Sequence, residues 1–161
     1  MIRLLLCGLL CFCTFSAGNE FYRQKASEAE KVYELSDVVS RIVAMLEFDS
    51  RNVYEICSEA FKGCERLDCA EFSKITDGDF PSRWKAACEG LFADKEAKKY
   101  FLSVGEVLGS FGCESQTERL RSIRESLIER AKKLSESAES KKKLYETLGI
   151  LSGLAVSIII V

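Results

Sequence analysis

From Arg23 to Phe48 the apolar residues Val32, Leu35, Val39, Ile42 and Leu46 recur in steps of three and four, which puts them on one helical face. Ala29, Val38 and Met45 widen that face to the breadth a packed bundle needs. Asp49-Ser50 offers an N-cap for a second helix with Val53, Ile56, Ala60, Cys64 and Leu67 on its face, antiparallel to the first across a tight turn. Thr76-Asp77-Gly78-Asp79 is a turn signal. Pro81, the single proline, then opens a short helix to about Phe92, with Trp84, Cys88 and Leu91 in register. Asp94 caps a further helix with the face Ala97, Phe101, Val104, Leu108 and Phe111, ended by Gly109 and Gly112 through a left-handed cap. The last long helix starts at Glu114 or Ser115 and carries Leu120, Ile123, Leu127, Ala131 and Leu134. From Ser135 to Ser140 its face turns polar, so residues 135–143 read as a solvated helical stalk. No repeat and no strand of convincing alternation stands out, and the expected fold is all-α, four to six antiparallel helices around one core. Breaks at Gly63, Gly78, Gly90 and Gly105 weigh against a long coiled coil.

Both ends of the chain are apolar. Met1–Gly18 carries only Arg3 as a charged side chain, and Leu148–Val161 carries none. A hydrocarbon core takes about 20 helical residues. The C-terminal run reaches that length once Leu144, Tyr145 and Thr147 join it, with Glu146 and Tyr145 at the interface. Gly149 and Gly153 form a G-x-x-x-G pair, either a helix-contact site or two ordinary membrane glycines. The N-terminal run fits a secretory signal peptide ending at Ser16-Ala17-Gly18, and equally an uncleaved span to about Tyr22. The expected division is a transmembrane helix at 1–22, a cytoplasmic bundle with its stalk at 23–143, and a second transmembrane helix at 144–161.

Charge decides between the N-terminal options. Arg130, Lys132, Lys133 and Lys141–Lys143 precede the C-terminal run, and Arg23, Lys25 and Lys31 follow the N-terminal one. Positive charge near a span favours the cytoplasmic side. The expectation is therefore a two-span membrane protein with a cytoplasmic centre and both termini outside. The alternative is a secreted domain with a cleaved signal peptide and a C-terminal anchor.

The chain has no histidine, which removes the commonest general base, the familiar nucleophile pairings and most catalytic metal sites. Of eight cysteines, Cys7, Cys11 and Cys13 lie in the apolar N-terminus, leaving Cys57, Cys64, Cys69, Cys88 and Cys113 in the middle. An odd number of thiols without a C-x-x-C suits a reducing compartment. Cys64-x4-Cys69 with Cys57 could hold a metal, and Lys62 beside Cys64 is the one hint of an activated thiol, but buried inert thiols are the simpler reading. Glu59, Glu65, Asp68 and Glu71 read as a solvated acidic face, and the glycines at 105, 109 and 112 follow no strand that would make them a nucleotide loop. Net charge is −2, so nucleic-acid binding has no support, and Lys141–Lys143 would meet lipid headgroups. No catalytic, cofactor or metal residue is assigned, and no small-molecule substrate is expected. The residues suit contact rather than catalysis, with a membrane-bound cysteine redox or metal protein as the alternative.

An ordered set of local patterns runs along the chain: an apolar segment closing in Ser16-Ala17-Gly18-Asn19-Glu20, then Phe80-Pro81-Ser82-Arg83-Trp84. Gly105-x2-Leu108-Gly109-x6-Gln116 follows, and Tyr145-x2-Leu148-Gly149-x-Leu151-x-Gly153 closes the series. In that layout the chain resembles the stage III sporulation protein AB family nearly end to end. Where the family often has an Asp three residues after the Leu-Gly pair, this chain has Gly112. The resemblance implies a bundle similar to the inner-membrane F domain of type II secretion and type IV pilus machines. It further implies a non-enzymatic part in a channel complex between mother cell and forespore. The implied partners are the other stage III sporulation A-operon membrane proteins and the cognate secretion-type ATPase.

Overall fold

The computed structural model describes the backbone of residues 2–48, 52–67, 70–73, 75, 79–109 and 113–160. Most side chains of residues 2–21 and 145–160 fall outside that description. The described residues are helical with no strand: α1 (Ile2–Phe48), α2 (Val53–Ala60), α3 (Ala70–Ser73), α4 (Phe80–Ala87), α5 (Lys95–Leu108) and α6 (Cys113–Ile160). Glu28–Lys132 forms one compact unit, and Met1–Ser27 with Lys133–Val161 forms a second. Among the described residues no helix is long and apolar enough to cross a membrane.

The unit of residues 28–132 is the predicted bundle. Ala29, Val32, Leu35, Val38, Val39, Ile42 and Val43 of α1 are buried, whereas Leu46 at the end of the predicted stripe is only half-buried. Ala97, Phe101, Val104 and Leu108 of α5 and Leu120, Leu127 and Ala131 of α6 complete the core, with Ile123 at its margin. The centre is aromatic. Phe61 stacks on Phe72 at a centroid distance of 4.4 Å, and Trp84 meets both Phe72 and Phe101 at 5.0 Å.

Two helices stop before their apolar spacing does. The pattern running to Leu67 predicts a long second helix, yet α2 ends at Ala60, because Gly63 has φ +84° and turns the chain left-handed. Leu67 is buried all the same, supplied from the following loop. Likewise α4 ends at Ala87 rather than near Phe92, and Gly90, also at φ +84°, terminates it. These are the left-handed stops, not Gly109, whose φ is −80°. Phe111 and Gly112 lie outside the described residues, as do Asp49 and Ser50. The cap of α2 is Asn52 instead, whose side chain accepts from the Tyr54 amide.

In the second unit the stretch expected as a polar stalk has one covered position. Ala138 is only 1% exposed and Leu134 7%, so α6 keeps a buried edge through the serine- and glutamate-rich stretch. Small size lets Ala138 do this without a large apolar side chain to signal it. Lys142 Nζ lies 4.9 Å from the centroid of the Tyr22 ring within this same unit.

Candidate functional site

The glycine motif resolves into packing. α4 lies on α5, and a Cβ at Gly105 would come within 2.9 Å of Trp84 Cβ and closer still to the indole ring. One turn later a Cβ at Gly109 would lie 2.7 Å from Pro81 Cγ. The missing side chain has a second effect. In a helix the side chain at i+4 lies near the carbonyl of i, as back-bonding serines show. With glycine at 105, the Phe101 carbonyl is open, and Trp84 Nε1 donates to it at 2.9 Å. Pro81, Trp84, Gly105 and Gly109 thus form one lock, and Gln116 of the same motif is buried at the start of α6.

The thiols do not converge. Cys57 and Cys88 are fully buried, and burial pushes both up to about 12, with Lys98 pulling Cys88 slightly the other way. Their thiolates are therefore scarce near neutrality. Cys64, expected on a helical core face, is half-buried in the loop after α2, with Arg41 Nη2 at 3.8 Å from its Sγ. Lys62 points elsewhere and pairs with Glu59 at 2.7 Å. Cys69 and the side chain of Cys113 lie outside the described residues. No group of three or more metal-ligating side chains occurs among the described residues. Glu65 and Glu71 are exposed and Glu59 half-buried; Asp68 is outside the description.

A polar clamp that the sequence reading missed ties α1, α5 and α6. Glu28, 8% exposed, accepts at Oε1 from the amides of Ala93 (2.9 Å) and Asp94 (3.2 Å). Asp94 caps α5 as expected, accepting from the Ala97 amide at 2.9 Å. It also receives a bidentate pair from Arg130, at 3.0 and 2.7 Å, while Arg130 Nη1 reaches Glu96 at 2.5 Å. The Arg130 hydrogen bonds lead in holding the Asp94 carboxyl below its ordinary value, against some desolvation. Arg130, counted by sequence as a cation flanking the membrane, is consumed inside the bundle. Spacing carries no signal for this, because Arg130 and Asp94 are 36 residues apart along the chain and Glu28 and Ala93 are 65 apart.

A groove of about 340 Å³ runs along the outward face of α5, lined by Lys95, Lys98, Lys99, Leu102, Ser103 and Glu106. These residues stand opposite the core positions 97, 101, 104 and 108. A basic, solvent-open strip of one helix is suited to holding a partner surface rather than enclosing a small molecule.

Among protein families, the one described as stage III sporulation protein AB matches residues 3–161. No curated protein and no solved structure matches the chain.

Proposed function

The chain belongs to the stage III sporulation protein AB family, and from that membership we propose that it acts as a membrane-held, non-enzymatic platform in a sporulation channel complex. Its fold is the helical bundle that the likeness to the secretion F domain implies. Its partners are the other membrane proteins of the stage III sporulation A operon and a secretion-type ATPase on the cytoplasmic side. Its place is the mother-cell membrane facing the forespore.

One contact supports the membrane reading above the rest, that of Lys142 with the Tyr22 ring. Tyrosine and lysine suit the boundary between hydrocarbon and water. From this contact α1 runs back to Ile2 and α6 runs on to Ile160, about 20 residues each and roughly 30 Å at 1.5 Å per residue. That length is the thickness of a bilayer core. Two stretches of matched length, with their charges (Arg3, Glu20, Lys142, Lys143 and Glu146) near the ends, lie within one compact unit and suit an antiparallel hairpin with both termini outside and the charged domain in the cytoplasm. Most of the side chains that would meet lipid lie outside the described residues.

Buried thiols, lifted to about 12 at Cys57 and Cys88, favour a platform over a thiol enzyme. The rival reading keeps one observation, the approach of Arg41 to Cys64. Sporulation efficiency and membrane fractionation separate the two. Full chain with Ala at Cys57, Cys64, Cys69, Cys88 and Cys113 should sediment with membranes and support sporulation. Chain lacking residues 144–161 should fold but fail. A folded cysteine-free variant that reaches the membrane and cannot support sporulation would overturn the platform.

A further inference from the structure

The lysines of α5 stand at an unfavourable place. Lys95, Lys98 and Lys99 fall within the first five residues of the helix, at the positive end of its dipole, where cations are disfavoured. Glu96 does not offset them, since it is engaged by Arg130. No side chain of these three lysines or of Glu106 makes an ion pair or hydrogen bond among the described residues, and Lys98 acts only at a distance on the buried Cys88. The Ser103 hydroxyl is already spent on the Tyr100 carbonyl at 2.6 Å. What remains is a strip whose positive charge at the start and whose Glu106 further on are unpaired among the described residues, with a half-buried Leu102 between them.

We propose that this strip is the interface of a homodimer, with α5 of one copy lying antiparallel on α5 of a second copy about a two-fold axis at Leu102. The register itself is self-complementary. Lys98 stands four residues before Leu102 and Glu106 four after, so antiparallel pairing brings each Lys98 level with the partner's Glu106. Lys95 stands seven before and Gly109, the C-cap of α5, seven after. Each lysine-rich helix start therefore meets the end of the opposing helix, where unsatisfied carbonyls carry negative partial charge. The two Leu102 side chains meet at the axis. Such an interface is isologous, the commonest arrangement in oligomers.

A merely acidic partner fits less well, because Glu106 would repel it at one end of the groove. A second copy uses both signs. One face of a 14-residue helix buries less than the roughly 1,200 Å² usual for a stable dimer. The pairing is therefore weak and governed by its charges, and it holds whether or not the chain is anchored in a membrane.

The test uses full-length chain in cells, with Leu102 replaced by the photoreactive residue benzoylphenylalanine, and scores the dimer band after irradiation. Lys98→Glu alone and Glu106→Lys alone each place like charges together twice, and each should lower the dimer band by at least about tenfold. The double variant Lys98→Glu/Glu106→Lys restores both pairs and should recover the band to within about twofold. Melting of each variant, followed by circular dichroism, should stay close to the parent, since Glu106 is exposed and Lys98 is half-buried at the rim of the helix. Absence of a dimer band, a band indifferent to the single reversals, or a double variant that stays monomeric overturns the proposal. So does crosslinking at position 102 only to a different protein.

Discussion

At the scale of single residues, the most constrained position is Gly105, because its hydrogen faces the Trp84 ring and opens the Phe101 carbonyl to the indole N–H. Gly105→Ala forces α4 and α5 apart, an overpacking cost of about 1–3 kcal/mol, and a drop in thermal midpoint measures it. Trp84→Phe keeps most of the ring but leaves the second lone pair of that carbonyl unpaired, costing about 1–3 kcal/mol by the same measurement. If Gly105→Ala melts like the parent, the lock is wrong. The buried thiols give a chemical check. With Cys57 and Cys88 near 12, about one thiol in 10⁴ is ionised at pH 8, so neither should be alkylated in native protein at the rate seen in denatured chain. A raised thiol value stabilises the fold below the unfolded thiol range, near 9, and that contribution is lost as pH rises toward 12.

Among elements, the clamp of Glu28, Asp94 and Arg130 joins three helices through charge rather than apolar contact. Glu28→Ala orphans the amides of Ala93 and Asp94 and should cost about 1–3 kcal/mol in urea unfolding, whereas Glu28→Gln retains an acceptor oxygen and should cost clearly less. Equal losses would mean that the amides find water instead. Because the Asp94 carboxyl is depressed below 3.8, its contribution is present above that value and lost as pH falls through the lower folded one. Arg130→Ala should flatten that acid dependence. Among the described residues, helix identity and the face of α5 were legible from spacing, since Ala97, Phe101, Val104 and Leu108 are all buried. Helix ends were less so: the apolar spacing ran past Gly63 and Gly90, and a single positive φ overrides it.

For the whole molecule, the bundle unit of residues 28–132 and the unit containing both chain ends make separate demands. Ile42→Ala should cost about 2–5 kcal/mol, because its side chain is wholly buried. Glu139→Ala, on the exposed side of α6, should change stability by under about 0.5 kcal/mol. Ala138→Leu, one residue away on the buried edge, should cost about 1–3 kcal/mol by overpacking. Chemical denaturation of the three side by side distinguishes a buried edge from a bare stalk; indifference at Ala138 would restore the stalk.

The chain's own residues determined the helical class, the core stripes of α1, α5 and α6, the Asp94 cap and the family, because each rests on local spacing or an ordered motif. Absence of histidine likewise narrows the chemistry by composition alone. Tertiary structure alone decided that Gly105 and Gly109 serve as seats for Trp84 and Pro81, that Arg130 is an internal cation, and that Ala138 is covered. It also decided which side of α5 carries charges unpaired among the described residues. Those outcomes depend on which distant segment arrives at a given face. A periodic pattern records where a helix has an apolar side, but not which partner fills it or which charges the packing uses up.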